Sequence, residues 1–408
     1  MSPLVCIDML PPYFWAMRAK DVVSGVGTEY QVSMMMGADY DDPNWDLILD
    51  QISYEDLANI VAAGNGFTYA CESIVYPGSR DGDGPIGWYS STMEYKGDKW
   101  YNGTTGYIGK GGVVTEGFLP SRIYEGTLVC AASFNRDLEV RRGKLLGNEG
   151  IFLGRTGMWG ISAANIGRTA FSGRNGEYYG EEPMIGAIMG AAVSSGYASK
   201  GGIAFTKHYA FNDTETNRYG GCVFMTEQTA REISLRAFEG ILAPEEGITK
   251  SMGLMESFTR LGCTWVGESY PLMTQILRNE WGFQGAAITD MAVAQLTYYH
   301  APEAVKAGTD YFDTTDATLY GGFFTKDKLE EDPVLHAALK QAAHRILYIY
   351  VNSLTMNGTP LSADLVRVLA PWEIAIICID VVLGVIALGT LVLYVVVEFR
   401  RPKNEEGK

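Results

Sequence analysis

Apolar residues recur at helical spacing through WDLILDQISYEDLANIVAAG, residues 45–64. Ser53, three positions before Asp56, offers a capping box for a helix that stops at Gly64. A glycine-rich stretch, DGDGPIGW at 81–88, comes next. The glycine and aromatic content of KGDKWYNGTTGYIGKGGVV, 96–114, predicts a long exposed loop over a binding face. Beyond it, short apolar runs alternate with helical segments. Strands are expected at 128–132, 159–164, 203–206, 252–255, 286–289 and 307–311, with helices at 183–195, 226–242, 270–280 and 334–351. Alternation of this kind over roughly 300 residues favours a parallel α/β fold.

The run WGFQGAAITDM, 281–291, organises the rest. Ala286, Ala287 and Ile288 are small or branched and apolar, as expected of a strand buried on both faces, and the run ends on the carboxylate of Asp290. In a parallel barrel such a strand delivers an acid to the C-terminal rim, where chemistry sits. On spacing alone, an Asp capping the next helix fits equally well.

With 408 residues, 47% of them hydrophobic, the chain can bury one large core or two modest ones. A net charge of -16 argues against nucleic acid or an anionic surface as the main partner and is compatible with a neutral ligand such as a sugar. The six cysteines, Cys6, Cys71, Cys130, Cys222, Cys263 and Cys378, lack metal or disulfide spacing and read mostly as buried small apolar residues. The start of the chain, broken by Pro11 and Pro12, does not read as a signal peptide.

Residues 374–397 carry one charge, Asp380, in 24 positions, enough to cross a bilayer core of about 30 Å. Trp372 on one flank and Phe399, Arg400, Arg401 and Lys403 on the other read as an interfacial anchor and a cytoplasmic basic cluster. The expected organisation is an irregular lead-in at 1–43, a globular fold at 44–355, a linker at 356–371, a transmembrane helix at 372–399 and a polar tail at 400–408. The protein is then single-pass in the cell membrane, with the globular part on the outer face.

Several residues are candidates for chemistry. Asp83 lies between glycines, where its carboxylate can bond hydroxyls or be a solvated turn residue. Arg174 and Glu177, three apart in SGRNGEYYGEEP, suit polyol recognition or an ordinary surface loop. Lys207 and His208 end an apolar strand in KHYAFNDTETNR, an unfavourable position for two titratable groups unless something pairs or uses them. Glu215 and Arg218 follow as a supporting ion pair.

SGRNGEYYGEEP, KHYAFNDTETNR, MESFTR, ILRNEWGF and GAAITDM, in this order, resemble the catalytic barrel of glycoside hydrolase family 3, the β-glucosidase-like retaining glycosidases. The resemblance runs from about residue 41 to 353, including DGPIG and FLPS. It is nearest to large, membrane-anchored bacterial members with permuted domain order. It implies a (β/α)8 TIM-like barrel followed by the C-terminal transmembrane helix. Asp290 matches the family's nucleophile. Asp83, Arg174, Lys207, His208 and Phe258 match positions that bind the sugar at the cleaved end, and Glu177, Glu215 and Arg218 match supporting positions. No cofactor or metal is implied.

Three departures stand out. Phe258 occupies a position that is Tyr in many relatives. Gly167 replaces a His. The acid/base, a Glu on a separate sandwich domain in two-domain members, has no counterpart, and Ala210, Phe211 and Asn212 do not make the His loop of the single-domain branch. Nothing singles out Glu181 or Glu182 as a substitute. The expected partners are therefore a carbohydrate substrate, the membrane, and a sandwich-domain chain or upstream portion supplying the proton donor. The alternative is a sugar-binding membrane protein without catalysis.

Overall fold

A computed structural model of the chain describes residues 22–27, 29–88, 93–96, 99–102, 124–293, 296–356 and 371–400. The chain divides into two units, residues 1–90 with 120–365, and 91–119 with 366–408.

The first unit is built on a six-stranded sheet in the order β1 (Phe67–Thr68), β2 (Ser79–Asp83), β5 (Gly157–Ala163), β6 (Ile203–Tyr209), β8 (Gly253–Glu256) and β11 (Ala286–Ile288). β1 runs antiparallel to β2, and every other neighbouring pair is parallel. The sheet curls back on itself. Ile288 bridges Tyr311 in parallel, Phe312 N–H bonds Val61 O at 3.1 Å, Gly64 N–H bonds Thr314 O at 3.2 Å, and Asp81 N–H bonds Gly66 O at 2.9 Å. Segments 61–66 and 309–314 thus complete a TIM-like ring without forming full ladders. Eight regular strands are not reached among the described residues.

Four of the expected strands form, because runs such as Ala286–Ile288 and Gly157–Ala163 are buried along their whole length. The expected strand at 128–132 is instead the helix Thr127–Ala132. Its Leu128 and Val129 are exposed while Cys130 and Ala131 are buried, a one-sided pattern that a five-residue apolar run does not reveal. Ala307 ends the helix Ala301–Ala307, so only Tyr311 of 307–311 pairs as a strand. The first three residues of the glycine-rich stretch at 81–88 also differ, since Asp81–Asp83 belong to β2.

The expected helices all form: Pro183–Ala198, the segment from Glu227 to Leu242 with a π-wound turn at Ala230–Ser234, the π-wound Pro271–Glu280, and Pro333–Val351. Residues 45–64 divide into Asn44–Gln51 and Tyr54–Ala62, the second capped by Ser53 accepting from Asp56 N–H at 3.0 Å. One long helix, Arg136–Leu153, has no counterpart in the expectation, because Gly143, Gly147 and Gly150 interrupt its apolar pattern. Those glycines let it lie backbone to backbone on Pro183–Ala198. A Cβ at Gly143 would stand 2.1 Å from Val193 O, and one at Gly196 2.2 Å from Val140 O.

Under the ring, Asp310 is fully buried and holds Arg278 at 2.8 Å, Arg345 at 2.6 Å and the Ala287 N–H at 2.7 Å. Cys71 and Cys130 are buried, whereas Cys222, Cys263 and Cys378 are exposed, against the expectation of mostly buried thiols. Cys222 lies in a small side sheet of β7 (Cys222–Val223), β9 (Arg260–Leu261) and β10 (Thr264–Trp265).

The second unit contains the hairpin β3 (Met93–Lys96) and β4 (Lys99–Asn102), where the sequence predicted loop, and the helix Pro371–Arg400. The rest of the 96–114 loop and FLPS lie outside the described residues. Within the helix, Ile374–Val397 is 24 residues with a mean hydropathy of 2.7. That makes it a candidate span by length and composition.

Candidate active site

The parallel strands end on one rim, and the candidate residues gather there. Asp83 closes β2, Lys207 and His208 lie near the end of β6, Phe258 follows β8, and Asp290 follows β11. Small residues hold this arrangement together. Gly160 in β5 has φ +80°, and a Cβ there would come within 2.2 Å of Lys207 Cε. Only glycine leaves the lysine its path across the ring.

Lys207 is nearly buried and its Nζ donates to Asp83 Oδ1 at 2.5 Å, while the Asp83 side chain remains partly open to solvent. The lysine's charge is thus paired, and the carboxylate keeps acceptor capacity for a ligand. Arg174 donates Nε to Glu177 Oε1 at 2.8 Å and Nη2 to Glu177 Oε2 at 2.6 Å, a planar two-point clasp. Its Nη1 points inward, 3.2 Å from His208 Nε2 and 3.6 Å from Glu215 Oε1. Glu215 also accepts from Arg218 Nη1 at 2.9 Å and from Asn212 Nδ2 at 3.0 Å. Glu177 and Glu215 therefore anchor two guanidiniums of the rim.

Phe258 has a different place from the one expected. It is fully buried, with the Arg218 guanidinium 4.7 Å from its ring centroid and Tyr219 packed edge-on at 4.8 Å. A ring covered on this scale seats Arg218 and does not meet a sugar directly. At Gly167, a Cβ would stand 3.0 Å from Asn175 Oδ1, so the loop leaves little room for the His of relatives.

Asp290 is almost buried. Its Oδ1 accepts from Met291 N–H at 2.8 Å, whereas Oδ2, 3.6 Å from His208 Nε2, has no hydrogen-bond partner among the described residues. Burial raises its pKa above the usual carboxylate value, opposed by the Met291 N–H and by the charges of Arg218, Lys207 and Arg174. Desolvation is the larger effect, so the three cations offset it only in part. His208 is pushed the other way: burial, then Arg174, Lys207 and Arg218, depress its pKa well below 6.5.

Sequence reasoning missed several residues of the rim. Asn165 brackets His208, accepting its N–H at 2.7 Å and donating to its carbonyl at 2.9 Å. Tyr298 donates to Phe258 O at 3.1 Å and lies under Arg260, 5.4 Å from ring to guanidinium. Asp313 stands beside Asp290 with Asn65 on it. The carboxylate after a short apolar run, the signal that found Asp290, also marks Asp313. Of the two substitutes considered for the proton donor, Glu182 caps the helix Pro183–Ala198 by accepting from Ile185 N–H at 2.8 Å, and Glu181 is exposed. Among the described residues no group of three or more His, Cys, Asp or Glu is placed to hold a metal ion.

A rim of paired cations and open carboxylates around a buried acid can bind a polyhydroxylated ligand and bring a nucleophile to it. Residues 111–349 match the family model described as the glycosyl hydrolase family 3 N terminal domain. The chain is 28% identical over 268 residues to a beta-glucosidase of Rhizobium radiobacter, covering 65% of this chain and 29% of that one. To beta-glucosidase A of Butyrivibrio fibrisolvens it is 31% identical over 247 residues, covering 59% and 26%. The chain thus spans less than a third of these curated relatives. Beta-glucosidase 3B from Thermotoga neapolitana, solved in complex with glucose, is similar with a TM-score of 0.62 and 25% identity, over 76% of this chain and 43% of that one. A beta-glucosidase from Paenibacillus barengoltzii shares the fold with a TM-score of 0.69 at 22% identity, over 88% and 38%. On the family match, which takes in more than half of its residues, the chain belongs to glycosyl hydrolase family 3 and carries that family's N-terminal domain.

Proposed function

We propose that this chain is the nucleophile-bearing barrel of a retaining, exo-acting glycosidase of the β-glucosidase kind. One observation carries the reading: the buried Asp290 carboxylate, its Oδ2 without a hydrogen-bond partner among the described residues, faces His208 within a ring formed by Lys207, Asp83, Arg174 and Arg218. In a retaining mechanism Asp290 attacks the anomeric carbon and forms a covalent glycosyl-enzyme, which water then resolves. Asp83 accepts from sugar hydroxyls, and Lys207, Arg174 and His208 complete the grip on the cleaved-end sugar. Positive charge nearby favours ionised Asp290, and Oδ2, unbonded among the described residues, is the oxygen that attacks.

The second carboxyl of such a mechanism stands about 5 Å from the first and begins protonated. In this proposal it comes from a sandwich domain, in another part of the protein or in a separate chain. The greater length of the relatives is in keeping with that. Residues 44–355 form the barrel, 356–371 link it to a span at 372–399, and the Arg400 flank faces the cytoplasm, leaving the barrel on the outer face.

The test is labelling with 2,4-dinitrophenyl 2-deoxy-2-fluoro-β-D-glucoside, whose leaving group needs no proton donor. The adduct is expected on Asp290, with dinitrophenol released once per chain, and Asp290→Asn should take no label. An adduct on another acid, or an unlabelled wild-type chain, overturns the reading.

A further inference from the structure

The mechanism above leaves Asp313, a buried carboxyl of the rim, unused. Ile288 and Tyr311 are bridged in parallel, and Asp290 and Asp313 each stand two residues further along their own segments. The two acids are therefore register neighbours on adjacent strand ends. The segments that carry them are tied together: Asp313 N–H donates to Thr289 Oγ1 at 2.9 Å, and Ala292 N–H donates to Asp313 O at 2.7 Å. Both tethers come from residues within two positions of Asp290.

We propose that Asp313 is a sugar-hydroxyl-binding residue of this pocket, set beside Asp290 and presenting a carboxylic acid that both donates and accepts hydrogen bonds. The inference deepens the glycosidase reading and rests on it. Asp313 is 4% exposed, and Asn65 Nδ2 donates to its Oδ1 at 2.7 Å. That is the only side-chain hydrogen bond it makes among the described residues. Asp290, Asp83 and Lys207, all pocket residues, act on it electrostatically. Burial and the Asp290 charge raise its pKa to about 8, so that near neutrality it carries the proton the pair cannot both lose.

The neighbours give that proton a use. Asp83 and ionised Asp290 only accept, while Lys207 and Arg174 only donate and are already engaged by carboxylates. A sugar hydroxyl does both, and so does a neutral carboxyl. A purely structural Asp313 would serve Asn65 and the backbone of the rim and would not register which hydroxyls the ligand carries.

The experiment titrates the full chain with D-glucose and with its 2-, 3-, 4- and 6-deoxy analogues, for wild type, Asp313→Leu, Asp313→Ala and Asp313→Asn, with thermal melting as the check on folding. Leu keeps the branched shape of Asp in a larger side chain without hydrogen bonding, Ala removes the group without added bulk, and Asn keeps a donor and an acceptor. Loss of the contact should weaken glucose binding roughly tenfold in the Leu and Ala variants. That penalty should vanish for the one deoxy sugar lacking the contacted hydroxyl, and Asn should restore binding to within about threefold. Unchanged glucose affinity, or a penalty equal across all four deoxy sugars in folded variants, overturns the proposal. Labelling of wild-type Asp290 by the fluorinated glycoside separates the two readings. A labelled chain with a uniform penalty loses only the role of Asp313, whereas a chain that neither binds glucose nor labels loses both.

Discussion

Arg174 Nη1 lies 3.2 Å from His208 Nε2. A guanidinium only donates, so Nε2 is the acceptor and the imidazole proton sits on Nδ1. With the Nε2 lone pair turned to Arg174, the ring cannot form a salt bridge to Asp290 Oδ2 at 3.6 Å. His208 should therefore stay neutral well below pH 6.5, visible by nitrogen NMR as an Nδ1–H tautomer, and Arg174→Ala should bring its titration back up. Because the unfolded imidazole titrates near 6.5 and the folded one far lower, stability should fall as pH drops below 6.5. His336, depressed to about 4, adds to the same loss. An imidazolium signal in the folded protein at pH 6 would refute the assignment.

Gly160→Ala should cost both stability and binding. Its φ of +80° disfavours any side chain, and the new methyl would displace Lys207 from Asp83. A fall of several degrees in melting temperature and a roughly tenfold loss of glucose affinity are expected. Unchanged affinity would mean that the Lys207–Asp83 pair does not shape the pocket.

Glu256 is fully buried at the end of β8, with Thr309 Oγ1 donating to Oε1 at 2.8 Å and Oε2 unpartnered among the described residues. Burial raises its pKa to about 8, against 4.5 for the exposed group. The folded state thus holds a proton that the unfolded chain has released, and stability falls as pH rises from 4.5 to 8. Glu256→Gln should remove this dependence and stabilise the protein at pH 8 by roughly 4 kcal/mol. Urea unfolding at pH 5 and pH 8 measures it, and parallel losses in both proteins would count against it.

Asp310→Ala strands the guanidiniums of Arg278 and Arg345 in the core. Breaking a buried ion cluster from one side costs about 3–5 kcal/mol. The variant should unfold at much lower urea than wild type. A loss under 1 kcal/mol would show that water reaches the pair.

If Ile374–Val397 crosses a bilayer, the full chain should stay with membranes through carbonate extraction, and truncation before Pro371 should release it. Release of the intact chain by carbonate would reassign that helix.

The strands and the rim were legible where burial is two-sided or the chemistry is local. Ala286–Ile288 announced itself as a continuous apolar run, and KHYAFNDTETNR held a cation, a titratable ring and an ion pair in one stretch. The helix Arg136–Leu153 was not legible, because glycines chosen for close packing erase the apolar stripe that marks a helix. Thr127–Ala132 misled for the opposite reason, as a short apolar run has no period to read. Phe258 was placed in the pocket by resemblance, but its burial beneath Arg218 depends on neighbours distant in the chain. Asp313 lay two residues past a segment that was expected to be a strand, yet its partner Asn65 comes from the other end of the chain.

The glycine contacts between Arg136–Leu153 and Pro183–Ala198 work as a ruler set on the outside of the ring. These helices precede and follow β5, the second leading into β6, so spacing fixed at Gly143 and Gly196 is inherited by the strand ends carrying Asn165 and Lys207. Tolerances at the pocket are thus set by packing some distance behind it. A single methyl added there would be felt as detuned recognition at the mouth, with no ligand-facing side chain altered.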